Sequence, residues 1–200
     1  MGDTKERILQ TALELFAAGG YEAVSISHIA GALGITKGAL YRHYESKRAI
    51  FDAILARMEA RDGEQARDHD LPEGSAEGDA AAYKAVTVND VVAFSKAMFR
   101  YWTEDPFAAP FRRMLTLEQF NSPDMGRLYQ QYLAAGPMGY VADLFRALGL
   151  PDPERRAAAF YGPMFLLYSV YDGAEDRAAV TALLDEYLDQ AEKELTGGEK

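Results

Sequence analysis

The sequence predicts an all-α fold, and three observations carry that expectation. Apolar residues recur at three- and four-residue spacing through nearly every segment outside residues 62–79. The breaks between those segments hold Gly, Pro, Ser, Thr and Asp, the residues that start and stop helices. No stretch alternates apolar and polar residues as a half-buried strand would. About nine helices are expected. The first three form an N-terminal helix-turn-helix domain over residues 1–46, and the rest form a C-terminal helical domain over residues 47–200.

The first helix spans about 4–18, with Ile8, Leu9, Ala12, Leu13 and Phe16 on one face. Asp3 or Thr4 is its expected cap, and Gly19-Gly20 stops it. Ser25 caps a second helix that buries Ile26, Ile29, Ala30 and Leu33 and ends at Gly34. Ile35 plugs the turn, and Thr36 caps a third helix running to about 43, with Ala39 and Leu40 inward. Ser46 caps a fourth, whose apolar positions are Ile50, Phe51, Ile54, Leu55 and Met58, and which extends to about 62 or beyond. Residues 62–79 then hold seven acids against one Arg, with three glycines and a proline, and read as an acidic loop.

Periodicity resumes at Thr87 or Asn89 with Val91, Val92, Phe94, Met98, Phe99 and Trp102, and Asp105-Pro106 ends it. A short helix covers about 107–120. A long one is expected from Ser122-Pro123 to Leu148, another from about Pro153 to Tyr171, and a last from about Glu175 to Leu195. Gly-Pro-Met occurs twice inside them, at 136–138 and 162–164. Each proline is expected to kink its helix, to free the carbonyl of Leu133 or Ala159, and to leave that carbonyl facing a cavity.

Composition removes several function classes. The 200 residues contain no cysteine, so disulfides, thiolate metal sites and cysteine nucleophiles are excluded. The three histidines, His28, His43 and His69, fit no metal-ligand spacing. No nucleophile elbow or phosphate-binding glycine loop is present. No enzyme, cofactor or metal is expected. No run is long enough to span a bilayer and no export signal is recognisable, so the expected location is the cytoplasm, with no membrane partner.

Charge points toward nucleic acid in spite of a net charge of −10. Residues 1–48 carry six Lys/Arg against five Asp/Glu, a balance of +1, so the remainder carries −11. Within 34–48 four basic residues face one acid. A basic focus on an acidic body fits a protein that meets DNA with one surface and is repelled elsewhere.

Ile8-Leu9, Ala12, Leu15-Phe16, Gly20-Tyr21, Ser25-Ile26, Ile29-Ala30, Gly34-Ile35, Lys37-Gly38, Leu40-Tyr41, Tyr44, Ser46-Lys47 and Phe51 stand together in register. On these residues the segment 5–51 resembles the DNA-binding domain of the TetR/AcrR-type bacterial transcriptional regulators. The resemblance implies a homodimer that binds a palindromic double-stranded DNA operator and responds to a small-molecule effector. It also implies a two-fold four-helix bundle as the dimer surface. Two positions depart from the family pattern. His28 replaces an acid that closes a capping box at the second helix, so the box is expected to be absent. Ala39 replaces a hydroxyl residue after Lys-Gly.

The expected DNA contacts are Ser25, Ser27, Thr36, Lys37, Gly38, Ala39, Tyr41, Arg42, His43 and Lys47. Lys37 is the expected base reader, with guanine O6 and N7 as its natural partner. Gly38 permits close backbone approach, and Ala39 can meet a thymine methyl. Tyr41 and Lys47 are expected on phosphates, and Tyr44 in the core. The C-terminal domain is rich in Met and Tyr, which adapt to apolar ligands and offer polar tips in apolar walls. A mostly apolar pocket is expected, lined by Phe94, Met98, Trp102, Phe111, Met114, Tyr129, Tyr132, Tyr140, Phe165 and Tyr168. Glu118 or Asp143, lining it, would favour a cationic ligand. The last two helices, with Phe160, Phe165, Val180, Leu183, Leu184, Tyr187 and Leu188, are the expected dimer surface. Two functions from different classes fit. One is a ligand-responsive DNA-binding regulator acting as a repressor. The other is a small-molecule-binding protein whose N-terminal domain no longer binds DNA.

Overall fold

The computed structural model describes residues 2–68, 72, 83 and 85–197, and among these residues the chain is helical, with no strand. The helices are α1 (Gly2–Gly19), α2 (Ile26–Ala32), α3 (Lys37–Tyr41), α4 (Lys47–Asp68), α5 (Val88–Glu104), α6 (Ala108–Glu118), α7 (Pro123–Leu133), α8 (Ala135–Ala147), α9 (Pro153–Gly173) and α10 (Arg177–Thr196). The all-α expectation therefore holds. The acidic stretch expected as a loop falls partly in α4, which reaches Asp68, and His69 with most of 70–79 lies outside the described residues.

By packing, the chain divides into two compact units. The first comprises Met1–Asp62 and Pro106–Tyr129, the second Gly63–Asp105 and Gln130–Lys200. By packing, the helix-turn-helix belongs to a unit that runs past the expected boundary at 46/47 and also takes in α6. In this first unit α1 packs on α6 and α2, and α2 on α3. Its core is built from Ile8, Leu13 and Phe16 of α1, Ile29 of α2, Leu40 of α3, Ile50 and Ile54 of α4, and Phe111 and Leu115 of α6, all fully buried. Each such side chain contributes about 1.5–3 kcal/mol on leaving water. The apolar stripes read from the sequence are thus the faces that meet. The start of α1 differs: it runs back to Gly2, through both Asp3 and Thr4, so neither caps it.

In the second unit α9 packs on α8, α10 and α5, and α10 packs on α5. Phe99, Leu144, Phe145, Ala157, Leu184 and Leu188 are fully buried there. Phe99 stacks on Tyr168 at 5.3 Å, and Lys96 and Arg100 of α5 pair with Asp189 and Asp185 of α10. Phe165, Leu166 and Val170 of α9 and Leu183 of α10 stay exposed, while Val180, Leu184 and Leu188 face inward.

The two Gly-Pro-Met sites act differently from expectation. The single long helix expected up to Leu148 is broken at Ala134, whose φ −127° and ψ −93° are not helical, so Pro137 lies in the first turn of α8 where its missing N–H has no partner to lose. Gly136 permits the break, because a Cβ there would lie 2.0 Å from the carbonyl oxygen of Gln131. Pro163 lies within α9. Neither freed carbonyl is left for a ligand. The Tyr161 hydroxyl donates to Leu133 O at 2.8 Å, and the Tyr187 hydroxyl donates to Ala159 O at 2.7 Å. Two tyrosine hydroxyls thus supply the donors that Pro137 and Pro163 cannot give these carbonyls.

Candidate nucleic-acid interface

The helix-turn-helix is set by three local devices. Gly34 ends α2 at φ +66°, a conformation that favours glycine, and Ile35 N–H returns to Ala30 O at 3.0 Å. Thr36 Oγ1 accepts from Ala39 N–H at 3.1 Å and fixes the first turn of α3. Ser25 Oγ accepts from His28 N–H at 3.2 Å and fixes that of α2. As hydroxyls, both caps keep a proton to donate to a phosphate.

At α2 the expectation of a missing capping box is corrected. His28 Nδ1 accepts from Ser25 N–H at 3.4 Å, so an imidazole completes the box where the family has an acid. An unprotonated ring nitrogen accepts as a carboxylate oxygen does, here over a longer distance.

Ser25, Ser27, Thr36, Lys37, Gly38, Tyr41 and Arg42 are exposed, and Ala39 and His43 are half-buried. Tyr41 is 50% exposed beside the fully buried Leu40, so α3 turns one side to the core and offers Lys37, Tyr41 and Arg42 outward. His43 lies beyond the end of α3, in the turn, and its N–H bonds Leu40 O at 2.9 Å. Tyr44 is half-buried; burial holds its hydroxyl above the ordinary phenol range, and Lys5 approaches its ring.

Lys47 is placed differently from expectation. Its ammonium donates to Tyr21 O at 2.8 Å and Glu22 O at 3.3 Å and stands 4.2 Å over the Tyr21 ring. It is committed to the turn between α1 and α2 because two carbonyls and a ring face converge on it there. The Tyr21 ring lies between Phe16 and Phe51, at 5.0 and 5.1 Å, and its burial raises the hydroxyl's pKa. Sequence reading placed Lys47 on a phosphate, and the residue counts at the turn held no signal for this second use.

The expected pocket residues do not fall in one unit. Phe111, Met114 and Tyr129 are buried in the first. Met98, Trp102, Tyr132 and Tyr168 are buried in the second, with Phe94 and Tyr140 half-buried and Phe165 39% exposed. There the structure brings together Trp102 with Tyr132, and Phe94 with Tyr140, edge to face. Glu118 is 2% exposed but directed at the α1–α2 turn, and Asp143 pairs with Arg146. Neither acid supports a cationic ligand. Among the described residues no cluster of His, Cys, Asp and Glu could hold a metal, and no helix is long and apolar enough to cross a membrane.

Three helices, a glycine turn and an outward face of Lys, Tyr and Arg define a helix-turn-helix fold. The family model for bacterial regulatory proteins of the tetR family matches residues 8–54 of this chain. An uncharacterized HTH-type transcriptional regulator, YerO of Bacillus subtilis, is 48% identical over 50 residues, covering 25% of this chain and 17% of that protein. The class D tetracycline repressor protein of Escherichia coli is 31% identical over 97 residues, covering 48% of this chain and 40% of that protein. The matched part thus spans well under half the length of these relatives. A TerR/AcrR-family transcriptional regulator from Aquifex aeolicus has the same fold, with a TM-score of 0.69 at 17% identity, covering 94% of this chain and 98% of that one. These proteins are transcriptional regulators by name, not enzymes.

Proposed function

We propose that the protein is a ligand-responsive, sequence-specific DNA-binding transcriptional regulator of the cytoplasm, acting as a repressor. The observation that carries this reading is the outward face of α3, where Lys37, Tyr41 and Arg42 project from a helix whose other side is locked by Leu40. Such a helix enters the major groove with its first residues at the base edges, and Lys37 is the reader. Thr36, Ser25, Ser27, Tyr41, Arg42 and His43 meet phosphates. Gly38 and Ala39 allow the backbone close. Lys47 acts one step back, by holding the turn that leads into α2.

Leu166, Val170 and Leu183 are large apolar side chains left in water on α9 and α10. A second copy covers them, so that two recognition helices face two half-sites of a palindrome. The effector is a small, mostly apolar molecule held in the second unit by Phe94, Met98, Trp102, Tyr132, Tyr140, Phe165 and Tyr168. Its binding shifts the population toward a conformer that releases the operator, which requires different affinity for the two conformers. The repressor assignment follows a relative whose name carries it.

Anisotropy titration against the DNA upstream of the protein's own coding sequence and against a scrambled duplex tests this reading. Tighter binding to the upstream DNA is expected, with a two-chain stoichiometry. Equal and weak binding to both would leave the carrier reading, a ligand-binding protein without DNA function.

A further inference from the structure

Three helices end on a glycine of positive φ: α1 at Gly20 (+84°), α2 at Gly34 (+66°) and α8 at Gly149 (+72°). Such an end commonly closes itself, because the residue after the glycine donates its N–H back to its own helix. Ile35 does this to Ala30 O and Leu150 to Phe145 O, both at 3.0 Å. Tyr21 does not. Its N–H goes to Oε1 of Glu118, the last residue of α6, at 2.7 Å.

The acceptor is unusual for its place. Glu118 is 2% exposed and sits at a helix C-terminus, where the carbonyl dipoles oppose an acid and burial adds to the cost. Its second oxygen, Oε2, accepts from Asn121 Nδ2 at 2.9 Å. Gly20 is cut to the same fit, since a Cβ there would stand 2.7 Å from Oε1. Packing alone would be met better by an apolar residue. From the other side Lys47 of α4 holds the Tyr21 carbonyl at 2.8 Å. One residue, four positions before the Ser25 cap of α2, is thus gripped at its N–H by α6 and at its C=O by α4.

We propose that Glu118 is a positioning residue for operator binding: it holds the first N–H beyond the closed end of α1, so that α6 sets the direction in which the chain enters α2 and α3. This inference rests on the DNA-binding reading above. α6 follows α5 in the chain through Asp105-Pro106, and α5 carries Met98 and Trp102, assigned to the effector. Displacement of α6 moves the Tyr21 peptide while every DNA-facing side chain stays intact.

The test compares full-length wild type, Glu118→Leu and Glu118→Gln at a temperature where circular dichroism shows all three folded. Leu keeps the shape and removes the acceptor, whereas Gln keeps one acceptor oxygen for Tyr21. Two quantities are read. One is the Tyr21 amide exchange rate. The other is the affinity for a duplex selected by the wild type from a random pool, against a scrambled duplex. In Glu118→Leu the loss of one charged-group hydrogen bond is expected to speed exchange and weaken binding to the selected duplex by about tenfold each. Its affinity for the scrambled duplex is expected to change by less than about twofold, and Glu118→Gln to restore both readouts. A purely structural role would lower both DNA affinities together. Asn121→Ala, which loosens the carboxylate from its other side, serves as the second variant should Glu118→Leu not fold, with a smaller shift in the same direction expected. Wild-type Tyr21 exchange or wild-type operator preference in a folded Glu118→Leu overturns the proposal. A wild type that does not prefer its selected duplex overturns the DNA-binding reading instead, and the exchange rate still shows whether Glu118 holds the Tyr21 N–H.

Discussion

The two compact units are constrained in different ways. In the first, the side chains proposed to meet DNA lie outside, on and beside helices of five and seven residues fixed by a cap and a glycine. In the second, most of those proposed to meet a ligand lie inside, where α9 packs on α8, α10 and α5. On the proposed reading, half-site geometry constrains the first unit, because a helix that reads a groove must hold its side chains in register. The second is constrained by how its helices pack on one another, and the chain as a whole shares its fold with a solved structure at 17% identity.

The comparison breaks most easily at the core. Phe99→Ala removes a fully buried ring that stacks on Tyr168, and a loss of about 3–5 kcal/mol in urea unfolding is expected. A loss under about 1 kcal/mol would mean that the second unit is loosely packed and its aromatics are free to rearrange. Next is the recognition helix. Lys37→Ala is expected to weaken operator binding by about 1–3 kcal/mol and to leave binding to random DNA nearly unchanged. Equal losses on both would place Lys37 on a phosphate.

The proline-freed carbonyls sharpen the contrast inside the second unit. Tyr187→Phe leaves Ala159 O without its hydroxyl donor and is expected to destabilise by about 0.5–1.5 kcal/mol. Pro163→Ala restores a backbone N–H to that carbonyl, so in its background the Tyr187→Phe loss should shrink. Additive losses, measured as a double-mutant cycle, would show that the tyrosine acts by packing alone. The smallest effect belongs to the second helix. His28→Glu replaces a 3.4 Å imidazole bond with a charge-assisted one at a helix N-terminus, and a gain of about 0.3–1 kcal/mol is expected in thermal melts.

How much could be read beforehand follows the same division. Thr36 and Ser25 declared their caps, Gly34 its turn, and Lys37, Tyr41 and Arg42 their exposure, because each is decided within four residues of itself. His28 was misread because a carboxylate was taken as necessary where any acceptor of the right reach serves. The prolines correctly announced which carbonyls would be freed, but their partners, Tyr161 and Tyr187, lie 28 residues away from those carbonyls. Glu118 stood out as an acid in an apolar helix, yet nothing local pointed to a backbone N–H 97 residues distant. Lys47 likewise carried the charge expected of a phosphate contact and spends it on a turn.

Guanine N7 methylation interference on the selected operator tests the central claim most directly, that α3 reads base edges in the major groove. The account predicts interference in two half-sites about one helical turn, or about 34 Å, apart, with the half-site signal lost in Lys37→Ala. Binding that is indifferent to N7 methylation in both half-sites would contradict it.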